Sequence, residues 1–258
     1  MTNWNATQYL KFESDRTQPA VDLANRIRVE DPRKAVDIGC GPGNSTQVLA
    51  ARFPHAQIIG ADNSTSIIEK ASKQYPAFDF RLCDANKDLA SLGQDFDIVF
   101  SNACIQWIPN HPALIKNLFA LLNLNGVLAV QVPMNETEPL YRLIDEVVSE
   151  SRWGFENMKR ETNETLRPAE YFDILADLTD EFALWETVYY HKMPTHESLV
   201  EWVKGTRLRP YLSALSPEMA VDFEQTLVKK AAQAYKPQRN GDIIFNFRRF
   251  FFTARRNA

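Results

Sequence analysis

The chain has 258 residues, 45% of them apolar and 24% charged, with a net charge of −4 and a pI near 5.7. That is enough apolar sequence for one large core, or a core with a modest added lobe, and the acidic balance excludes the basic face expected of a DNA or RNA binder. No apolar run approaches the ~20 residues of a membrane span, and the start lacks the charged-then-apolar plan of a signal peptide, so the expected location is cytoplasmic, with no membrane partner.

In chain order, Trp4, Tyr9, Phe12 and Arg16 place aromatics and a cation at roughly helical steps, suited to stapling a first helix onto the core. Val36, Asp37 and Ile38 then form a short apolar run interrupted by an acid, as in a buried parallel strand. Gly39, Gly41 and Gly43 follow at alternate positions, with Pro42 in the turn. Such a turn lets the backbone approach a ligand that a Cβ would obstruct. The helix predicted over residues 45–53 aims its N–H groups and positive end at the same place. The spacing is neither the GxGxxG dinucleotide fingerprint nor a P-loop, which needs a Lys after its last Gly.

A second strand over residues 56–62 ends in Asp62, placed to accept hydrogen bonds from both hydroxyls of a ribose or to cap the helix that follows. Strands over 78–82 and 96–100 lead into Cys83-Asp84-Ala85 and into Asn102 to Trp107; a helix over 113–122 and a strand over 126–132 come next. Five strand and helix units in this order predict a parallel doubly wound sheet.

Beyond residue 132 the alternation loosens. Leu140, Leu143, Ile144, Val147 and Val148 share one face of a helix predicted over 138–153, and Pro168 opens another over 169–178. Strand character over 182–193 and 245–254 completes seven strands, one of them antiparallel at the edge. The predicted fold class is α/β: a Rossmann-like, doubly wound, seven-stranded, mostly parallel sheet in a single domain, 1–258. Residues 1–135 form the cofactor-binding core with an N-terminal helix, 136–180 a helical segment, and 194–243 a helical insertion before the last strand. That insertion far exceeds the usual connection of ~4–6 residues and is a candidate substrate lid. Within it Arg207 and Arg209 flank Leu208, either as bidentate carboxylate binders or as a solvated basic turn. Tyr190 and His191 lie on the strand just before it.

The pattern of Asp37, Gly39, Gly41 and Gly43 resembles the first motif of the class I S-adenosylmethionine-dependent methyltransferases. Within that superfamily, Asn3-Trp4-Asn5 with Tyr9-Leu10, residues 37–46, Asn102-Ala103 with Gln106-Trp107, Tyr189-Tyr190-His191 with Met193-Pro194, and Leu208-Arg209-Pro210 resemble the trans-aconitate 2-methyltransferase family, over nearly the whole chain. The resemblance implies S-adenosyl-L-methionine as cofactor, with contacts from Asp37, Gly39, Cys40, Gly41 and Gly43 at the turn. It further implies Asp62 and Asn63 at the ribose, Asp84 and Ala85 at the adenine, Asn102 and Trp107 beside the methyl group, and Tyr9 and Arg16 from the N-terminal segment. The implied activity is O-methylation of one carboxylate of trans-aconitate, or of a closely related small polycarboxylic acid, to a monomethyl ester. Arg207 departs from the pattern, standing where a small residue is expected.

A carboxylate is already ionised at neutral pH and attacks a sulfonium methyl without a general base, so no catalytic residue is assigned. Orientation carries the rate, within the ~7–11 kcal/mol that ideal positioning supplies. No Ser/His/Asp or Cys/His array is legible. Arg209 is the expected clamp for a carboxylate that does not react, with Arg207, Tyr190 and His191 as further substrate-binding candidates; Gln106 and Trp107 border the methyl group. Two alternatives stand beside this reading: methylation of another carboxylic acid or of an acyl-carrier-bound carboxylate, and a noncatalytic S-adenosylmethionine-binding regulator. Cys40, Cys83 and Cys104 have no paired spacing and are expected as reduced thiols. No Cys or acid completes a metal set with His191 and His196, so no metal is expected. No heptad pattern decides between monomer and dimer.

Overall fold

The structure, a computed structural model, describes residues 13–158 and 165–257, with side chains from Thr17 onward in the first stretch. The strands are β1 (Lys34–Ile38), β2 (Gln57–Asp62), β3 (Asp79–Leu82), β4 (Phe96–Asn102), β5 (Leu122–Pro133), β6 (Phe182–Met193) and β7 (Ile243–Arg255). The helices are α1 (Glu13–Arg26), α2 (Asn44–Arg52), α3 (Thr65–Gln74), α4 (His111–Ala120), α5 (Pro139–Val148), α6 (Pro168–Ala176), α7 (His196–Lys204), α8 (Arg209–Ala214) and α9 (Pro217–Ala234). Among the described residues no helix is long and apolar enough to cross a membrane.

The strands form one sheet in the order β3-β2-β1-β4-β5-β7-β6. Pairs β1–β2, β1–β4, β2–β3 and β4–β5 are parallel, while β5 and β7 are antiparallel from Val127 opposite Arg255 to Pro133 opposite Arg249. The expectation of an antiparallel edge strand is corrected here: β7 lies one strand in, between β5 and β6. Burial explains the order. Phe250, Phe251 and Phe252 are all buried although they alternate between faces, so β7 needs cover on both sides and a neighbour on each edge. Strand β6 alternates half-buried and exposed positions instead, the pattern an edge tolerates.

Two other boundaries move for local reasons. Strand β5 begins at Leu122 because the expected turn is absorbed as a bulge: the β4–β5 register shifts between Phe96 and Ile98, Asn125 has φ +66°, and a Cβ on Gly126 would lie 2.7 Å from the Phe96 carbonyl. The helix expected over 138–153 ends at Val148 and resumes as one 3₁₀ turn, Ser151–Trp153, stopped by Gly154 at φ +71°.

The chain divides into two compact units. The sheet unit comprises Arg16–Pro133, Asn163–Thr187 and Arg249–Ala258. Its central strands are continuous apolar runs, with Val36, Ile98, Phe100, Leu128 and Val130 essentially without solvent contact. The helical unit takes in Met134–Thr162 and Val188–Arg248. Its core gathers Leu140, Ile144 and Val147 from α5, Trp202 and Val203 from α7, and Phe223 and Leu227 from α9, around Phe245 and Phe247. Burying each such side chain stabilises by about 1.5–3 kcal/mol. Proline opens α5, α6 and α9, at the position where no amide hydrogen is needed.

Candidate active site

Strand order reverses between β1 and β4, and in open α/β sheets ligands bind outside the carboxyl ends of the strands at such a switch point. The turn after β1 carries Gly39, Gly41 and Gly43 at φ +73°, +55° and +98°. Their surroundings differ. A Cβ on Gly39 would come 2.1 Å from Cys104 Sγ, and one on Gly43 2.7 Å from the Tyr75 ring, whereas one on Gly41 would meet nothing within 4 Å. The first and third glycines therefore let the loop seat against its own protein. The second turns a bare backbone toward open space, which is what a ligand cradle requires.

Two carboxylates brace this turn. Asp37 is fully buried, and its Oδ2 accepts hydrogen bonds from Ser45 Oγ at 2.6 Å and Thr46 Oγ1 at 2.7 Å, tying the end of β1 to the first turn of α2. Its Oδ1 is buried without a partner among the described residues. Burial pushes its pKa up to about 6, against the opposing pull of the two hydroxyls. Asp62, at the end of β2, accepts from the Gly41 amide at 3.2 Å and the Ser64 amide at 3.0 Å. It thus serves loop and helix entry at once, with its pKa raised by burial. Asn63 is exposed beside it.

Asp84, half-buried after β3 next to Ala85, pairs with Lys87 at 2.9 Å and accepts the Asn86 amide at 3.0 Å. The Lys87 hydrogen bond holds its carboxyl below the usual range. Beyond β4, Ala103 adopts φ +53°. Its amide donates to the Gln131 carbonyl at 3.0 Å, and its own carbonyl accepts from Gln106 Nε2 at 2.8 Å. Gln106 is thereby buried while Trp107 stands 52% exposed. Cys40, Cys83 and Cys104 are free thiols. Burial raises Cys83 to about 11 and Cys104 to about 12, and Cys40 also upward, so none is a thiolate nucleophile at neutral pH.

The residues from Asp37 to Trp107 that the sequence singles out for a cofactor all belong to the sheet unit. Tyr9 lies outside the described residues, as does the side chain of Arg16. The substrate candidates of the helical unit divide among themselves. Tyr190 is 70% exposed on β6, whereas His191 points the other way into the aromatic core, its ring 4.5 Å from Trp202 and near Phe245 and Phe247. Arg207 pairs with Asp145 at 2.7 Å. Arg209 opens α8 half-buried, its guanidinium without a hydrogen bond or ion pair among the described residues. Among the described residues no group of three His, Cys, Asp or Glu is arranged to hold a metal.

Two residues escape sequence reasoning. Gln131 has no solvent exposure on β5, and Arg249 is 6% exposed on β7. The available signal was slight: Gln131 is one amide in the apolar run 126–132, and Arg249 stands beside Arg248 in a strand that carries other polar residues.

Comparison with known proteins bears on this arrangement. The Methyltransferase domain family matches residues 30–194. A trans-aconitate 2-methyltransferase of Methylobacterium radiotolerans is 40% identical over 260 residues, covering 99% of each chain. One from Enterobacter sp. is 40% identical over 256 residues, again covering 99% of each. Among solved structures, a Haemonchus contortus phosphoethanolamine N-methyltransferase in complex with S-adenosylhomocysteine superposes with a TM-score of 0.54 at 16% identity, covering 95% of this chain and 53% of that one, a likeness of fold.

Proposed function

This chain belongs to the trans-aconitate 2-methyltransferase family, and from that premise we propose that it transfers the methyl group of S-adenosyl-L-methionine to one carboxylate of trans-aconitate, forming a monomethyl ester. The observation that carries the reading is the turn at the switch point, where Gly41 offers bare backbone to open space beside Asp62 and above the buried Asp37. These residues suit the cofactor: an open cradle, an acid at the end of β2 for ribose hydroxyls, and Asp84 at the end of β3 for an exocyclic amine. When bound, the cofactor supplies an electrophilic methyl on a sulfonium.

The protein's own part is placement. Gly39 and Gly43 fix the cradle by seating on Cys104 and on the Tyr75 and Phe80 rings. Gln106, anchored on the Ala103 carbonyl, and exposed Trp107 border the place of transfer. The acceptor carboxylate arrives ionised, so no residue needs to remove a proton. Arg209 holds a carboxylate that does not react, since a tight ion pair on the attacking oxygen would weaken it as a nucleophile. Arg207, engaged by Asp145, contributes less.

Incubation of the protein with S-adenosylmethionine and trans-aconitate, cis-aconitate, citrate or isocitrate, followed by mass spectrometry, tests the assignment. One added methyl on trans-aconitate, removed by mild alkali, is the expected result. Cofactor binding with no acid methylated would overturn it. In the same assay Arg209→Ala raises the acid's KM strongly and leaves cofactor affinity unchanged; equal loss of both removes the clamp role.

A further inference from the structure

The carboxyl ends of β4 and β5, with the middle of the antiparallel β7 beside them, carry a second polar feature, away from the glycine turn. Asn102 is the register partner of Gln131, Gln131 of Phe251, and Pro133 of Arg249. Directly opposed residues share a sheet face, and so do residues two apart on one strand. Asn102, Gln131 and Arg249 therefore emerge on one face, at the end of the sheet where ligands bind. All three belong to the sheet unit.

Gln131 is the telling member. It has no solvent exposure, yet among the described residues neither its Oε1 nor its Nε2 has a hydrogen-bond partner. Asn102 Oδ1, on its register partner, and Gln106 Oε1 are likewise buried without partners among the described residues. Buried polar groups in native proteins are almost always paired, and a chain that needed only packing would place Leu or Met at 131. A cluster of amides left open at a strand end is what a site looks like before its ligand supplies the missing bonds. Arg249 stands diagonal to Gln131, a spacing of about 7–8 Å between Cα atoms. Its guanidinium carries donors in a planar fork of the geometry that a carboxylate matches.

We propose that Gln131 and Arg249 form a carboxylate-recognition site on the sheet, with Gln131 Nε2–H and the Arg249 fork each donating to one carboxylate of the acid substrate. This deepens the function proposed above and rests on it. A polycarboxylic acid carries several anionic groups, each of which needs a partner. Placing one of them on β5 and β7 ties the acid to strands, which hold a position more tightly than the loops of an insertion do. The Gln131 Oε1, with Asn102 Oδ1, remains to accept from a hydroxyl or ammonium group nearby.

The test is Gln131→Leu, which removes both unpaired atoms at nearly constant volume, with Gln131→Met as the second variant should the first not fold. At saturating S-adenosylmethionine the KM for trans-aconitate is expected to rise about 10- to 100-fold, the weight of a hydrogen bond to a charged group. The cofactor Kd, read by calorimetry, stays where it is, and the melting temperature holds or rises because an unpaired amide has gone. An unchanged KM, or a lowered melting temperature without a KM effect, makes Gln131 structural and overturns the site. Wild-type turnover reads the parent assignment separately. Should the wild type methylate no acid, calorimetric binding of trans-aconitate in the presence of S-adenosylhomocysteine replaces KM. Binding weakened by Gln131→Leu then supports the site although the reaction assignment falls, and binding that is absent, or equal in both, overturns it.

Discussion

Each unit of this protein buries a carboxylate, and the two are finished differently. In the helical unit, Glu138 accepts a hydrogen bond from Tyr235 Oη at 2.6 Å, and the same hydroxyl accepts the Leu140 amide at 2.8 Å, closing a local circuit at the start of α5. In the sheet unit, Asp37 uses one oxygen on Ser45 and Thr46 and leaves the other buried and unpaired among the described residues. Burial raises both acids. The difference lies in where the open atoms gather. Glu138 is closed into a circuit by residues of its own unit, which serves stability. The sheet unit collects open buried atoms of Asp37, Asn102, Gln106 and Gln131 near the ends of β1, β4 and β5. In the helical unit Asn135 Nδ2 and Trp153 Nε1 are also without partners among the described residues, but scattered. Buried polar atoms left open at strand ends weaken a fold and suit it to receive something.

The largest test of the contrast strikes the apolar core of the helical unit. Phe223 is fully buried, edge-on to Trp153 at 5.1 Å and to Phe155 at 6.0 Å. Phe223→Ala should lower the unfolding free energy by about 3–5 kcal/mol in denaturant titration. The cofactor affinity of the remaining folded protein should not change. A parallel loss of cofactor affinity would show that the two regions do not divide stability and binding in this way.

Next in size is Asp37→Asn, which acts on the open carboxylate. A pKa raised to about 6 from 3.8 means that the folded state holds a proton more tightly than the unfolded chain. The associated stability is fully present below the unfolded value and is lost as pH climbs through about 6. The span corresponds to about 3 kcal/mol as an upper bound. The wild type should therefore lose stability between pH 4 and 6, and Asp37→Asn should flatten that slope and melt higher at pH 7. Cofactor affinity should fall in the same variant, a stability gained against function. Retained affinity would make Asp37 a fold residue only.

Much of this was legible in advance. Strand β6 runs over the predicted 182–193, where aromatic and β-branched residues are concentrated, and the acid-and-glycine turn follows from residue types alone. Strand order was not legible: the inner place of β7 depends on which faces Phe250, Phe251 and Phe252 must bury, a fact of packing rather than of local pattern. His191 illustrates a second limit. Its proximity in sequence to Tyr190 suggested a shared role, yet the two-residue period of a strand sends them to opposite faces. Gln131 stayed hidden for a related reason, since one amide within an apolar run reads as tolerated and its lack of partners exists only in three dimensions.

Tyr235→Phe probes the closed circuit. Removing the hydroxyl strands the Glu138 carboxyl and the Leu140 amide together, at a cost of about 1–3 kcal/mol. Glu138→Gln in the same background should recover part of the loss, because a neutral amide is less penalised by burial than a carboxylate. Absence of any recovery would place the cost in packing around the ring instead of in the unpaired acid.

The smallest effect is expected at Arg207, and it sharpens the contrast within one short segment. Its pair with Asp145 joins a largely buried guanidinium to a half-exposed acid, and pairs reached by solvent contribute at most about 1 kcal/mol. Arg207→Ala should therefore cost little stability and little turnover, whereas Arg209→Ala should cost equally little stability while raising the acid's KM. If the two variants behave alike in KM, the Asp145 pair does not withdraw Arg207 from the substrate. The segment would then act as a double cation, and the departure of position 207 from the family's small residue would mark an altered preference for the acid.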